Sequence, residues 1–269
     1  EQLLDVVSKY FENTVVLLNV GNILDMNWVE KYNIKVVMYV WQGGQEGGNA
    51  IADVLSGDVN PSGRLSDTIA KDISDYPSSK NFGNKDFNLY QEDIYVGYRY
   101  FETFAPDKVL YPFGFGLSYT DFEIEPYSVT KNNEKISAVV IVKNIGNVSG
   151  REVVQVYVEA PQGKLGKAKR SLCAFAKTSI IAPDKSDGLL IEMDIADLAS
   201  YDDSGITGHK SCYVLEAGEY SIYIGKNVRD AEKVFTFTID ELTVTEQLTE
   251  ALAPERDFDV LYSTDDFKP

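Results

Sequence analysis

The chain has 269 residues, enough for about two domains at ~150 residues each, and its 44% apolar and 25% charged residues are an ordinary globular mixture. Its 25 Lys+Arg against 42 Asp+Glu leave a net charge of −17, which repels phosphate backbones and anionic lipid, so neither nucleic acid nor a membrane is an expected partner. The longest apolar runs fall far below the ~20 residues of a membrane-spanning helix, and a single histidine, His209, excludes a His-rich metal site.

Leu3, Leu4, Val6, Val7, Tyr10 and Phe11 recur at three- and four-residue spacing, which predicts an amphipathic helix over residues 3–12. Residues 14–19 and 36–41 are short apolar runs of the kind shown by strands buried on both faces. A short helix is predicted between them at 28–32, and a longer one at 47–55 after the Gly43-Gly44 loop. This is the βαβα rhythm of an α/β layer with parallel strands. Residues 58–64 read as two consecutive turns built on Asp58, Asn60, Pro61 and Gly63. Residues 66–93 form a long polar loop, and long loops in compact domains are often functional.

Aromatic residues crowd 94–101, glycines and aromatics alternate through 111–119, and the pattern changes near 119–121. From there, short strand-like runs at 136–142, 152–158, 171–178, 188–194, 211–214, 219–224 and 233–239 predict an antiparallel β-sandwich of roughly 110 residues. Residues 240–269 hold nine acids and two bases and read as an acidic linker, with a short helix at 245–253. Cys173 and Cys212 have no CxxC spacing and are expected to be two isolated buried thiols. The start has no basic stretch before an apolar core and no initiator Met, so the expectation is an internal piece of a larger gene product, cytoplasmic in location.

Two segments carry the chemistry. WQGGQEGG, from Trp41 to Gly48, follows a strand and opens a helix, at the carboxyl edge where open α/β sheets hold ligands. Its spacing fits no nucleotide loop, and a structural turn is the simpler reading. YQEDIYVGYRY, from Tyr90 to Tyr100, combines Glu92 and Asp93 with four tyrosines and Arg99. Tyrosine beside carboxylates holds a sugar by stacking on its C–H faces and hydrogen-bonding its hydroxyls. The competing reading is structural, with Arg99 pairing a carboxylate to hold two elements together. In an extended segment, adjacent Glu92 and Asp93 point to opposite faces. They would not form a two-carboxylate hydrolase pair, whose groups face each other across about 5–5.5 Å or more. His209 and the basic cluster at 164–170 read as solvated loops. Composition and periodicity yield no self-sufficient catalytic set.

The motifs go further. VVMYVWQGGQEGGNAIADVLSGDVNPSGRLSDT at 36–68 and YQEDIYVGYRYFE at 90–102 closely resemble the second domain of glycoside hydrolase family 3. YPFGFGLSYTDFE at 111–123 resembles that family's junction into its third domain, and VVQVYVEAP at 153–161 and LEAGEYSIYIG at 215–225 resemble its fibronectin type III-like domain. Five motifs in order cover nearly the whole chain. The resemblance implies an α/β plus all-β chain: part of an α/β sandwich over 1–119, then an antiparallel fibronectin type III-like β-sandwich over 120–242. An acidic linker over 243–269 would then lead towards a (β/α)8 barrel outside these residues, as in bacterial members with inverted domain order.

Members are mostly retaining β-glucosidases or β-xylosidases. Their Asp nucleophile lies on the barrel, and their Glu acid/base precedes the strand matched by 14–19, so no catalytic carboxylate is expected in this chain. The resemblance leaves Trp41 as an aromatic wall and Tyr90 and Glu92 as polar contacts to sugar hydroxyls. It implies no metal or cofactor. Expected partners are a carbohydrate substrate and the barrel or a complementing fragment, with self-association through an open apolar edge. Ser66 stands where the family's PSGRLP run has Pro, and Asp93 where its YxEGI run has Gly. Two other readings stand beside this one: a carbohydrate- or protein-binding sandwich using Tyr157, Tyr220 and Tyr223, and an enzyme acting alone through Glu46, Glu92 or Asp93.

Overall fold

The computed structural model describes residues 2–254 and 256–263. In the first part, α1 (Gln2–Tyr10) leads to β1 (Val15–Leu18), α2 (Trp28–Lys31), β2 (Val36–Tyr39) and α3 (Gly47–Ser56). The two strands pair in parallel, Val15 with Val36 through Leu18 with Tyr39. The inner face packs Leu18, Met26 and Ile69 with Val16, Val37 and Tyr39 around them. The outer face does not close. Val15 and Val36 are each 47% exposed, and Leu3, Val6, Tyr10 and Phe11 of α1 and the residue after it are exposed as well. Parallel sheets are ordinarily covered on both faces; here an apolar face is open, where the sequence pointed to an open edge.

The long loop is more structured than its polarity indicated. It contains β3 (Ile69–Ala70) and two short 3-10 turns, and it is followed by α4 (Tyr98–Phe104) and β4 (Val109–Tyr111), which pairs antiparallel with β3. Phe101 of α4 is fully buried with Ala70 and Val109, and Tyr76 meets its ring edge-on at 5.2 Å. The residues at 58–64 do not make two turns. The chain bends at residues 57–59, with Gly57 at φ 85, and then runs without a turn through residues 60–65.

The sandwich holds β5 (Phe122–Lys131), β6 (Lys135–Asn144), β7 (Val153–Glu159), β8 (Ser171–Lys177), β9 (Ser186–Asp194), β10 (Ser200–Asp202), β11 (Cys212–Leu215), β12 (Gly218–Gly225), β13 (Glu232–Ile239) and β14 (Thr243–Gln247). A three-stranded sheet β5-β6-β9 faces a four-stranded sheet β13-β12-β7-β8, and β10-β11-β14 form a third small sheet. Strict alternation explains β6, whose Ile136, Ala138, Val140 and Val142 are all fully buried. They pack with Val154, Val156, Tyr220 and Ile222 of the opposite sheet. β5 carries Pro126 beside a register shift, tolerated because β5 is an edge strand.

Three local expectations fail. The helix expected at 245–253 is replaced by β14, which pairs antiparallel with β11; its Thr-Val-Thr run is β-branched and fits a strand. The basic cluster at 164–170 is not simply solvated. Lys167 is buried and donates from Nζ to Glu216 Oε2 at 2.5 Å and to Pro161 O at 2.8 Å. Burial pushes this lysine below its ordinary pKa, against the opposing pull of Glu216. Arg99 makes no ion pair among the described residues; its guanidinium lies 6.0 Å from its neighbour Tyr98's ring. His209 is exposed, and both cysteines are free thiols, Cys212 buried and Cys173 partly so.

The work expected of Arg99 falls to Arg64 and Arg229. Arg64 donates to buried Glu152 of the sandwich and to the Gly116 carbonyl. Arg229 bonds Glu102 at 2.9 Å from the sandwich side. Asn60 ties three points: its amide donates to Ser149 O at 3.2 Å, and its carbonyl oxygen accepts from Ser118 Oγ and Tyr119 N, each at 2.9 Å. Between these, Tyr98 of α4 packs on Phe113 and Tyr157, and its hydroxyl accepts from Leu172 N at 2.8 Å. Gly114, at φ 82, has no room for a side chain, since a Cβ would collide with the Gln155 side-chain amide. The glycine-aromatic junction is therefore a docking surface between the α/β part and the sandwich.

Candidate functional site

The carboxyl end of the parallel pair places Trp41. Val40 N donates to Leu18 O at 3.0 Å, extending the pairing by one residue, and the backbone then turns over at Trp41 with φ 51. A bulky residue in the left-handed region is unusual and marks local constraint. The indole is partly buried, 4.9 Å from the ring of Tyr39, whose hydroxyl accepts from Leu24 N at 2.8 Å. Beyond it, Glu46 stands at the start of α3 and accepts from Asn49 Nδ2 at 2.5 Å.

Tyr90 and Glu92 share one turn. Asp93 N donates to Tyr90 O at 3.1 Å and Tyr95 N to Glu92 O at 2.8 Å. The segment is thus not extended, and the expected opposite facing of Glu92 and Asp93 does not apply as drawn. Asp93 sits at φ 49, a left-handed position that Asp and Asn tolerate and Gly takes without cost. Its acid is raised above the ordinary carboxylate value by desolvation, with the charge of Asp203 from the sandwich adding to it. Tyr95 anchors the turn: it is buried, meets Phe104 edge-on at 4.8 Å, and burial pushes its hydroxyl pKa upward. Tyr90, by contrast, is 73% exposed; Glu92 is partly buried.

The structure therefore brings Tyr90 and Glu92 together on one turn and sets Trp41 on a separate element. No hydrogen bond or ring contact joins Trp41 to that turn among the described residues. An aromatic ring free to stack, with a carboxylate two residues on, can grip a polyol; nothing in the turn supplies a facing carboxylate for hydrolysis. Among the described residues, no cluster of His, Cys, Asp and Glu could hold a metal ion. No helix of the described residues is long and apolar enough to cross a membrane.

The tyrosines of the sandwich-binding alternative are spent internally. Tyr157 and Tyr220 are fully buried, and Tyr223 lies under the guanidinium of Arg170 at 3.8 Å. Sequence reasoning missed the chain at 256–263, which returns to the Tyr90–Glu92 turn: Leu261 N donates to Gln91 O at 2.8 Å. The apolar run FDVLY inside the acidic tail was the available signal.

Residues 1–119 match the glycosyl hydrolase family 3 C-terminal domain, and residues 152–228 match the fibronectin type III-like domain. The chain belongs to glycosyl hydrolase family 3. It is 55% identical over 92% of its length to a "Beta-glucosidase" of Ruminococcus albus, of which it covers 26%. It is 43% identical over 94% of its length to "Beta-glucosidase A" of Butyrivibrio fibrisolvens, covering 33% of that protein. A crystal structure of a β-glucosidase from Paenibacillus barengoltzii superposes with a TM-score of 0.93 at 51% identity, over 97% of this chain and 30% of that one. The family 3 chain thus spans about a quarter to a third of the length of these relatives. It carries the α/β domain and the fibronectin-like sandwich of the family, in that order.

Proposed function

We propose that this chain is part of a retaining, exo-acting β-glucosidase that removes terminal β-linked sugars from oligosaccharides or glycosides. The observation that carries the reading is 55% identity to a β-glucosidase, sustained over 92% of the chain. In the complete enzyme an Asp of the (β/α)8 barrel attacks the anomeric carbon. The glycosidic C–O bond breaks as a Glu gives its proton to the leaving oxygen. Water, deprotonated by the same Glu, then displaces the Asp and frees the sugar. Both carboxylates belong to regions outside these 269 residues.

This piece supplies one wall of the site. Trp41 closes it as an aromatic surface, Tyr90 stacks on the sugar, and Glu92 accepts from its hydroxyls. The sandwich braces the wall through Arg64, Asn60 and Tyr98. A chimera tests the reading: this chain replaces the corresponding stretch of the Ruminococcus albus protein, and hydrolysis of p-nitrophenyl β-glucoside is followed. Hydrolysis is expected, with KM raised by Tyr90→Ala. A folded chimera with no hydrolysis would count against it.

A further inference from the structure

We infer that residues 256–263 are a positioning strap for the turn that carries Tyr90 and Glu92, and that this strap sets how firmly the site holds a sugar. The inference rests on the reading of those two residues as sugar contacts. Leu252 is 97% exposed, yet further on the chain becomes partly buried again at Phe258, Val260, Leu261, Tyr262 and Ser263. It has docked, and on one place. The Arg256 guanidinium lies 3.8 Å from the centre of the Phe87 ring, a cation–π contact. Leu261 N donates to Gln91 O at 2.8 Å. Ser263 faces the hydroxyl of Tyr95 and donates to Gln162 Oε1 of the sandwich at 3.4 Å.

The consequence falls on Tyr90. The carbonyls on both sides of it are held: Leu89 O by Asn81 Nδ2 at 2.5 Å, and Gln91 O by the strap. Its own ring is left outside, 73% exposed. A free ring on a pinned backbone is a preorganised stacking surface, which binds without first having to be ordered. Asn81 acts from within the same loop, whereas the strap hydrogen-bonds this turn to residues far along the chain. Its Ser263 end also reaches the sandwich, so the strap fixes the turn relative to both parts of the molecule.

Leu261→Pro deletes the donor, whereas Leu261→Ala trims the side chain and keeps it. Amide hydrogen exchange is first measured on the full chain. Protection at Asp93 and Tyr95 is expected to fall in Leu261→Pro and to persist in Leu261→Ala, with the sandwich strands unchanged in both. The variants are then combined with the barrel piece and assayed on p-nitrophenyl β-glucoside. KM is expected to rise about three- to tenfold in Leu261→Pro with kcat nearly unchanged, the sign of a binding surface that must now be ordered.

Unchanged exchange would overturn the strap, and so would lost protection with an unchanged KM. If the unaltered mixture does not hydrolyse the glycoside, the functional reading is at fault, and the exchange measurement still decides the strap. Should Leu261→Pro fail to fold, Arg256→Ala with Ser263→Ala removes the two flanking contacts and is read in the same way.

Discussion

Arg64 and Glu152 are 88 positions apart, and their buried ion pair is one of the ties that lock the α/β part to the sandwich. Glu152 is 2% exposed and also accepts from Val153 N at 2.7 Å, while the second arm of Arg64 donates to Gly116 O. A desolvated pair of this kind is costly to break from one side, because the remaining charge is left buried without its partner. Arg64→Ala should cost about 3–5 kcal/mol and split one urea transition into two, one for each part. Arg64→Lys should not restore the single transition, since an ammonium lacks the fork that reaches both acceptors. One unshifted transition in Arg64→Ala would contradict the role given to the pair.

Lys167 and Glu216 make the second buried pair, and here the prediction is one of non-additivity. Glu216 also accepts from Lys164 N at 2.6 Å. Lys167→Met leaves a buried carboxylate and Glu216→Gln leaves a buried ammonium, each expected to destabilise by about 3–5 kcal/mol. The double variant should lose clearly less than the sum of the two. Additive losses in chemical denaturation would show that the pair is not coupled.

Asp93 gives a pH-dependent prediction. Desolvation and Asp203 raise its pKa above the ordinary 3.8, so the folded chain binds this proton more tightly than the unfolded chain. The ionised group therefore costs stability at neutral pH, and the cost fades as pH falls through the folded pKa towards 3.8. Asp93→Asn keeps a residue that tolerates φ 49 and removes the charge. It should stabilise at pH 7, with the charge-dependent part of the gain disappearing below the unfolded pKa. A gain that is the same at both ends of a pH series of melting curves would mean that backbone preference, not charge, is responsible.

The open face of the parallel pair predicts behaviour in solution. Val15, Leu17 and Val36 are exposed on a two-stranded parallel sheet, and Leu3, Val6, Tyr10 and Phe11 are exposed nearby. The 269-residue chain on its own should self-associate, and Val15→Lys with Val36→Lys should shift it towards monomer in sedimentation. A clean monomer of the unaltered chain would show that this surface is not adhesive.

Much of this was legible in the sequence for a physical reason. The βαβα rhythm and the alternation in strands such as β6 are local patterns imposed by burial, and they declare themselves within a few residues. The failures are non-local. Arg64 looked like part of a turn because its partner lies in another domain. Arg99 had carboxylates beside it in sequence but pairs with none of them among the described residues, while Lys167 looked solvated because Glu216 is 49 residues away. Adjacent Glu92 and Asp93 read locally as extended chain, although Asp93, at the family's glycine position, takes a left-handed turn. The strap contact of Leu261 with Gln91 joins the acidic tail to a loop 170 residues earlier, and short-range patterning carries no record of such a return.

The role proposed for this chain is a wall of a β-glucosidase site without its reacting groups. It is tested most directly by hydrolysis of p-nitrophenyl β-glucoside, with the chain alone and then mixed with the barrel-containing piece. No turnover is expected from the chain alone, and turnover is expected on mixing. Turnover by the chain alone, lost in Glu46→Gln, Glu92→Gln or Asp93→Asn, would contradict it and place the chemistry within these residues.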